Sequence, residues 1–382
     1  MADFIFKISP NIVLGSYAST RLGQFVQEWG SKFMVIIDPI LQECGIAQKI
    51  KQSLTDRQVD FFVFSEMPTA PDTKVLAQAL KLAQEAHVHG IIAVGGTKAA
   101  NIGRAVAALC NETHDLYNFV DGAVPSAAGL PFVCVPTTMR DLFLFSNKTP
   151  LIDARTRQIK ILNIQNNITK LVIFDPNLSV SLTENQFASV TLQTLCMAVE
   201  CYISQKSSFF SDTITEKAIE LLGASMDGSP TLSSTASPEL FFAQGGCMTS
   251  LACGISFPGA ATLLALAINA RFKVSHAVVT AILFPYIIED AAGFKKERIA
   301  KIARILGVAS ETTNDDAAVT ALTENIRNRL ARAKLPTRLK DLSVSIEQLA
   351  LAAEDAGNLE LINSMPRSMT SDDLFDLIKQ AY

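Results

Sequence analysis

The most informative stretch of the chain is residues 90–109, which read GIIAVGGTKAANIGRAVAAL. Gly90 to Val94 is a short apolar run typical of a buried strand, and Lys98 to Leu109 carries apolar residues at helical intervals. Gly95 and Gly96 lie between the two. A strand, a glycine turn and a helix in this order are typical of the βα units that build parallel sheets.

The same alternation extends outward from this stretch. It predicts strands over residues 33–37, 60–64, 90–94 and 132–135, and helices over residues 41–54, 72–87 and 98–109. From Glu184 to Tyr382 the strand pattern is replaced by Ala, Leu and Ile at 3.6-residue spacing. We therefore predict an α/β domain with a Rossmann-like parallel sheet over residues 1–180, followed by an all-helical domain over residues 181–382.

Composition narrows the class of protein. The chain has 382 residues, 49% of them hydrophobic and 18% charged, with a net charge of -4. This balance predicts a globular protein that binds neither nucleic acid nor an anionic membrane. Its seven cysteines include no C-x-x-C pair, which favours a reducing, cytoplasmic location. The uncharged stretch from Leu240 to Ala270 contains Pro258, and we interpret it as buried helices rather than a membrane span.

The turn at Gly95 and Gly96 is a candidate phosphate site. Glycine lets the backbone approach a phosphate closely, and the first turn of the following helix supplies free N–H groups and a positive dipole end. Thr97 and Lys98 begin that turn, and Lys98 could place a point charge on a pyrophosphate. The alternative is an ordinary tight βα turn without a ligand.

Two further strand ends carry polar side chains. Asp38 closes the first predicted strand, where a carboxylate can accept hydrogen bonds from a ribose. Thr137 and Thr138 follow the fourth predicted strand and could place two hydroxyl groups in the same crevice. The alternatives are a helix N-cap for Asp38 and a capped turn for the threonines.

The helical half contains one histidine, His276, because the other three histidines of the chain precede residue 115. A metal site with several histidines is therefore excluded from that half. His276 stands at the start of an apolar run, where it could donate a proton, although a structural histidine with one hydrogen bond is the alternative. Glu200 lies among apolar neighbours and is either a carboxyl group with a raised pKa or a paired structural residue.

Several segments, taken together, resemble the iron-containing alcohol dehydrogenase family, which includes glycerol dehydrogenase and is related to dehydroquinate synthase. The family patterns are P-x-x-x-x-G, a strand-ending D-P, G-x-D-A-L-x-H-A-I-E-x-Y-x, H-G…L-P and N-P-R…E-D-I. The segments that resemble them are Pro10–Gly15, Phe174–Pro176, Thr191–Ile203, His276–Ala277 with Phe284–Pro285, and Pro366–Arg367 with Asp372–Leu374. The resemblance implies a dehydroquinate synthase-like fold, NAD or NADP as cofactor, a small alcohol or carbonyl substrate, and a homodimer.

The family's metal ligands are mostly replaced. The family holds iron or zinc with one Asp and three His. The positions that match are Gln193, Met197, Thr262 and His276, of which His276 alone keeps the ligand type. A single imidazole with an amide, a thioether and a hydroxyl group is a poor set for a catalytic divalent ion. We therefore expect no bound metal.

The nucleotide motifs are also altered. The family's G-G-G-S-x-x-D is matched by Gly95–Asn101, in which Thr97 replaces the third glycine and Asn101 replaces the Asp. Its T-T-x-G-T-G-S-E is matched by Thr137–Leu144, in which the two threonines remain and the later motif residues differ. Phe143 and Leu144 could fill part of a cofactor crevice.

Two hypotheses follow from these residues. The first is an oxidoreductase that transfers hydride between NAD(P) and an alcohol or carbonyl compound without a metal, with His276 as proton donor. The cofactor would be held by Asp38, Gly95, Gly96, Thr97, Lys98, Thr137 and Thr138. Asp38 would favour NAD because its carboxylate repels a 2′-phosphate. The second is a non-catalytic homologue that keeps the fold as a binding or regulatory module.

Overall fold

The computed structural model describes residues 9–227 and 236–382. The chain divides into two compact units. The first comprises the described residues up to Leu151 together with Lys160–Ser181, and the second comprises Ile152–Ile159 and the described residues from Leu182 to Tyr382.

The first unit is built on a parallel sheet of six strands in the order β1-β8-β5-β4-β2-β3. Two further strands, β6 and β7, pair with each other. The strands are β1 (Asn11–Leu14), β2 (Lys32–Ile37), β3 (Asp60–Phe64), β4 (Gly90–Gly95), β5 (Phe132–Pro136), β6 (Lys148–Ile152), β7 (Ile159–Asn163) and β8 (Thr169–Phe174). The predicted Rossmann-like parallel sheet is therefore confirmed.

Helices follow the strands of this unit. They are α1 (Leu22–Val26), α2 (Ile40–Glu43), α3 (Ile46–Thr55), α4 (Thr73–Glu85), α5 (Thr97–Leu109) and α6 (Leu116–Val120), with 3₁₀ turns at Ala18–Arg21, Gln27–Trp29 and Pro176–Ser181. The helix predicted over residues 41–54 is two helices, because Gly45 lies between them in the left-handed conformation with φ of 74°. Periodicity alone does not reveal such a break, since the apolar spacing continues across it.

Three of the four predicted strands, β2, β4 and β5, lie inside the sheet, and the fourth, β3, is an edge strand. β4 and β5 are buried along their whole length, so their sequences are continuous apolar runs. The strands outside the predicted set, β1, β6, β7 and β8, have 4, 5, 5 and 6 residues. β8 lies inside the sheet between β1 and β5, and its sequence TKLVIF begins with two polar residues. β1 is an edge strand with no fully buried residue, and its sequence therefore carries a weaker signal.

The described residues of the second unit from Leu182 onward form helices and no strand, which confirms the predicted helical C-terminal region. Residues Ile152–Ile159, which include the end of β6 and the start of β7, also belong to this unit. Its helices are α7 (Glu184–Ile203), α8 (Phe209–Asp227), α9 (Pro238–Ser256), α10 (Ala260–Phe272), α11 (His276–Ile305), α12 (Asp315–Arg332), α13 (Ile346–Gly357) and α14 (Ser371–Ala381), with 3₁₀ turns at Leu339–Leu342 and Glu360–Ser364. Every residue of α7 from Ser189 to Ile203 is buried, and α8, α9 and α11 pack against this helix.

The apolar stretch from Leu240 to Ala270 forms most of α9 and α10. These helices are bent by 97° at a short break, and most of their residues are buried. Among the described residues, α11 is the single helix long and apolar enough to cross a membrane, and 61% of its most apolar window is buried in the fold. Such burial is typical of a core helix of a globular protein.

Candidate functional site

The candidate nucleotide residues of the first unit lie at the carboxyl ends of three neighbouring strands. β2 pairs with β4 through Ile37 and Val94, and β4 pairs with β5 through Gly95 and Pro136. From β2 the chain passes to β3 on one side of the sheet and then to β4 on the other. Ligands of open α/β sheets bind in the crevice that such a reversal creates at the carboxyl ends of the strands.

The sheet brings together the residues that follow these strands. The backbone N–H of Asp38 donates to the Val94 carbonyl at 3.1 Å, and the N–H of Thr137 donates to the Gly95 carbonyl at 2.9 Å. Asp38, the glycine turn and the two threonines are therefore neighbours. His276, the remaining candidate, belongs to the second unit.

Gly95 and Gly96 have different structural roles. Gly95 has φ of 152°, and a Cβ atom there would lie 2.9 Å from the Cβ of Asp38. Gly96 is the N-cap of α5 with φ of -76°, and the nearest atom to a Cβ there would be the Thr138 Cγ2 at 3.6 Å. The fold therefore requires glycine at Gly95, whereas Gly96 leaves room above the backbone at the start of α5.

Lys98 and Asp38 form an ion pair at this edge of the sheet. The Lys98 Nζ lies 3.1 Å from the Asp38 Oδ1, and the two side chains are 29% and 13% exposed. The sequence treats the lysine and the aspartate as separate candidates, one for the pyrophosphate and one for the ribose. In the structure the two side chains are instead partners in one ion pair.

The segment after β5 is a buried loop. Thr137 is 3% exposed, and the Thr138 Oγ1 accepts a hydrogen bond of 2.9 Å from the Arg140 Nη1. Met139 between them is in the left-handed conformation, with φ of 53°. Phe143 and Leu144, the bulky residues that replace the end of the family motif, are each 1% exposed and belong to the apolar core.

A buried ion pair that the sequence did not predict holds this loop to α5. Arg104 and Asp141 have side chains 0% and 1% exposed, and the Arg104 Nη2 donates to the Asp141 Oδ2. Asp141 also accepts the N–H of Phe143 at 2.9 Å through Oδ1, and the Arg104 Nη1 donates to the Asn101 Oδ1 at 3.4 Å. The altered positions of the two nucleotide motifs, Asn101 and Asp141, are thus bridged by one arginine. The sequence signal that could have revealed this pair is Arg104, an arginine on the apolar face of a predicted helix.

In the second unit, the residues at the family's metal-ligand positions make contacts within the protein. The Gln193 Nε2 lies 2.8 Å from the His276 Nδ1. Because an amide nitrogen donates, Nδ1 is the acceptor, and a neutral ring then carries its proton at Nε2. Gln193 and Met197 are 4% and 1% exposed, whereas His276 is half-buried at the first residue of α11.

Glu200 caps the start of α10. Its Oε1 accepts the N–H of Ala261 at 2.7 Å, and its Oε2 accepts the Thr262 hydroxyl at 2.6 Å. Burial raises the pKa of Glu200 to about 7, although the hydrogen bonds from Thr262, Gly259 and Ala261 act in the opposite direction. The hydroxyl of Thr262, at a family ligand position, is therefore engaged with this carboxyl group. Within residues 9–227 and 236–382, no three His, Cys, Asp or Glu side chains come together as ligands for one metal ion.

Comparison with known proteins covers almost the whole chain. Residues 9–176 match the family model for iron-containing alcohol dehydrogenases, and residues 187–382 match the model for the C-terminal part of that family. Because the two matches span most of the chain, this protein belongs to the iron-containing alcohol dehydrogenase family.

Individual relatives are distant in sequence. The chain is 23% identical to alcohol dehydrogenase 4 of Saccharomyces cerevisiae, covering 99% of this chain and 98% of that protein. The crystal structure of a 1,3-propanediol oxidoreductase has a TM-score of 0.90 at 21% identity, covering 99% of this chain and 100% of that one. The NADH-dependent butanol dehydrogenase A of Thermotoga maritima has a TM-score of 0.86 at 17% identity, covering 100% and 99%. These two structures share the fold of this chain.

Proposed function

We propose that this chain is an NAD(P)-dependent oxidoreductase of a small alcohol or carbonyl compound and that it works without a bound metal. The nucleotide part of this proposal rests on one observation. Gly95, Gly96 and the N-terminus of α5 lie at the point where the strand order of the sheet reverses. Parallel α/β sheets bind dinucleotides at that point. Family membership and the relatives named as alcohol dehydrogenases support the same chemistry.

The residues at the three strand ends fit a dinucleotide. The open backbone at Gly96 and the N–H groups of the first turn of α5, which begins at Thr97, would hold the pyrophosphate. Thr137 and Thr138 would border it from β5, and Asp38 with its partner Lys98 would meet the adenosine ribose. The nicotinamide, when bound, supplies the hydride.

The donor set of the second unit does not fit a catalytic iron or zinc ion. Such ions are held by imidazole, thiolate and carboxylate groups. Here the amide of Gln193 is bonded to His276, the hydroxyl of Thr262 is bonded to Glu200, and Met197 offers a neutral thioether. No step of the proposed reaction is therefore assigned to a metal.

His276 is the proposed proton donor. Its Nδ1 accepts from Gln193, so the ring proton resides at Nε2 in the neutral form. In carbonyl reduction this N–H would donate to the oxygen as negative charge develops on it, which stabilises that charge without a Lewis acid. Gln193 would hold the ring in one orientation and one tautomer.

One observation favours the second candidate function, a non-catalytic homologue. Gln193 and Thr262 are both occupied by hydrogen bonds inside the helical unit, as structural residues are. A protein of this kind would keep the fold, and with it a nucleotide or small-molecule site, as a binding or regulatory module.

Turnover assays separate these functions. We expect the purified protein to oxidise NADH or NADPH with at least one member of a panel of small aldehydes and ketones, in buffer containing EDTA. Binding of a dinucleotide without turnover across the panel would favour the non-catalytic homologue. Activity that appears only after addition of Fe²⁺ or Zn²⁺ would contradict the metal-free proposal.

A further inference from the structure

The ion pair between Lys98 and Asp38 bears on which dinucleotide this chain accepts. A carboxylate at the end of such a strand selects NAD, because it accepts a hydrogen bond from the ribose 2′-hydroxyl and repels a 2′-phosphate. That expectation treats the carboxylate as isolated. Here a lysine ammonium lies 3.1 Å from it.

We propose that Lys98 makes this chain accept NADPH as well as NADH, by pairing with Asp38 and binding the 2′-phosphate. The proposal rests on the proposed function, since it assigns a specificity residue to the same nucleotide site. The lysine cancels the charge of the carboxylate, so the repulsion that would exclude a 2′-phosphate is removed.

The pair is able to open. Lys98 is 29% exposed and Asp38 is 13% exposed, so the pair is partly solvated and held less firmly than a buried one. A lysine also has a flexible stem of four carbons with a compact charge at its end. Its ammonium group can therefore turn from the carboxylate to a phosphate while its backbone remains in α5. With NADH, Asp38 stays available to the 2′-hydroxyl.

The other cations of this region are engaged elsewhere. Arg104 is 0% exposed and pairs with Asp141, while Arg140 is 2% exposed and donates to Thr138. Lys98 is also directed at Asp38, so the pyrophosphate is left to the N–H groups at the start of α5. The contribution of Lys98 should therefore concern the 2′-position, which is where NADH and NADPH differ.

The matched control is Lys74. It occupies the same place in α4 that Lys98 occupies in α5, since each is the second residue of a helix that starts with a Thr-Lys pair. Lys74 is exposed, and its helix follows β3 at the edge of the sheet. Lys74→Gln and Lys98→Gln therefore remove the same charge from equivalent positions of neighbouring helices.

The test is the affinity for NADH and NADPH, measured by nicotinamide fluorescence at one ionic strength. We expect the wild type to bind both. In Lys98→Gln the ratio of NADPH to NADH affinity should fall about tenfold or more, the value of one charge-assisted hydrogen bond. In Lys74→Gln the ratio should stay as in the wild type. In Asp38→Asn, where Lys98 loses its partner, the ratio should rise.

The outcomes separate this inference from the proposed function. NADH binding without NADPH binding in the wild type, or an unchanged ratio in Lys98→Gln, would overturn the role of Lys98 and leave the proposed function standing. If neither dinucleotide binds a wild-type protein that melts cooperatively, the proposed function fails, and the inference fails with it.

Discussion

At the scale of single residues, the buried pair of Arg104 and Asp141 holds the altered segment after β5 to α5. Two charges removed from water stabilise the fold only when they face each other and their remaining hydrogen-bonding groups are satisfied. Asp141 meets this condition by accepting from Arg104 and from the N–H of Phe143, whereas the buried Arg104 Nε has no hydrogen-bond partner. The pair anchors the loop that carries Thr137 and Thr138, so we regard it as a positioning element of the proposed nucleotide site.

Removing one partner of this pair should destabilise the protein strongly. Asp141→Ala leaves the Arg104 guanidinium buried without its counter-charge, which we expect to lower the free energy of unfolding by about 3–5 kcal/mol. Urea denaturation measures this change. Asp376→Ala, which breaks an exposed pair with Lys379, is the control and should alter the midpoint little. Equal losses of unfolding free energy in the two variants would contradict a stabilising role for the Arg104–Asp141 pair.

We expect substitution of His276 to affect both activity and stability, with the larger effect on activity. His276→Ala is expected to lower reductase activity by about 10²- to 10⁴-fold, the usual contribution of a general acid. It also leaves the buried Gln193 amide without this partner, so a loss of stability of about 1–3 kcal/mol is expected. Melting temperature and cofactor turnover measure the two effects.

The second variant, His276→Asn, separates these roles. An asparagine oxygen can accept from Gln193 as Nδ1 does, but it has no proton to transfer from the position of Nε2. We expect it to recover stability and not activity. A His276→Asn protein with wild-type turnover would remove His276 from the proposed mechanism.

At the scale of elements, the β4–α5 turn combines a structural glycine, Gly95, with one, Gly96, that we propose contacts the pyrophosphate. Gly95→Ala places a Cβ atom 2.9 Å from the Asp38 Cβ at φ of 152°. We expect it to lower the free energy of unfolding by about 1–3 kcal/mol. Gly96→Ala meets its nearest neighbour at 3.6 Å and should keep wild-type stability. Its methyl group would nevertheless cover the backbone that faces a phosphate, so NADH affinity should fall.

Thermal melting and NADH titration of both glycine variants check this division. If Gly96→Ala binds NADH as tightly as the wild type, the pyrophosphate does not lie over this turn. If Gly95→Ala is as stable as the wild type, the backbone conformation at β4 does not require glycine.

The junction of α7 and α10 should make stability depend on pH. Burial raises the pKa of Glu200 to about 7, above the value of an exposed Glu, so the folded state binds more protons than the unfolded state between these two pKa values. The contribution of this group is therefore fully present at low pH and is lost as the pH rises through about 7. Glu200→Gln removes the titration.

Urea denaturation at pH 5 and pH 8 tests this linkage. The free energy of unfolding of the wild type relative to Glu200→Gln should fall between these pH values by an amount on the order of 2–3 kcal/mol. Parallel pH profiles for the two proteins would show that the carboxyl group is not perturbed by its burial. Glu347→Gln, which removes an exposed carboxyl group on α13, is the control.

At the scale of the whole molecule, the chain keeps the architecture of its family, while three of the four residues that match the family's metal ligands are of a different type. We expect the protein purified without chelators to contain well below one iron, zinc, nickel or manganese ion per chain. EDTA and added Fe²⁺ or Zn²⁺ should leave its melting temperature unchanged, because a ligand that does not bind the native state does not stabilise it.

Restoring the family's ligands gives the positive control for this prediction. A triple variant restores the family's residue types: Gln193→Asp, Met197→His and Thr262→His. Together with His276 it would supply one carboxylate and three imidazoles at the positions that match the family's ligands. A metal at 100 times its Kd should then add about 2.7 kcal/mol of stability to this variant. A stoichiometric ion in the wild-type protein would overturn the metal-free proposal.

The sequence alone was sufficient for the class of fold. Central strands such as β4 and β5 are buried on both faces, so their residues form continuous apolar runs that can be recognised locally. The helical half shows the 3.6-residue period, and the histidine count excludes a site with several imidazoles there. These conclusions depend on residues that are near one another in the chain or on composition.

The tertiary structure decided how the candidate residues are paired. Lys98 meets Asp38 because β4 is hydrogen-bonded to β2 and not to β3, although β3 is its neighbour in the chain. Arg104 meets Asp141 across 37 residues, and Gln193 meets His276 across 83. Each pair depends on the order of strands or on the packing of helices, and local periodicity carries no information about either. Charges and hydrogen bonds act over a few ångströms of space, so the roles of these side chains are set only when the chain is folded.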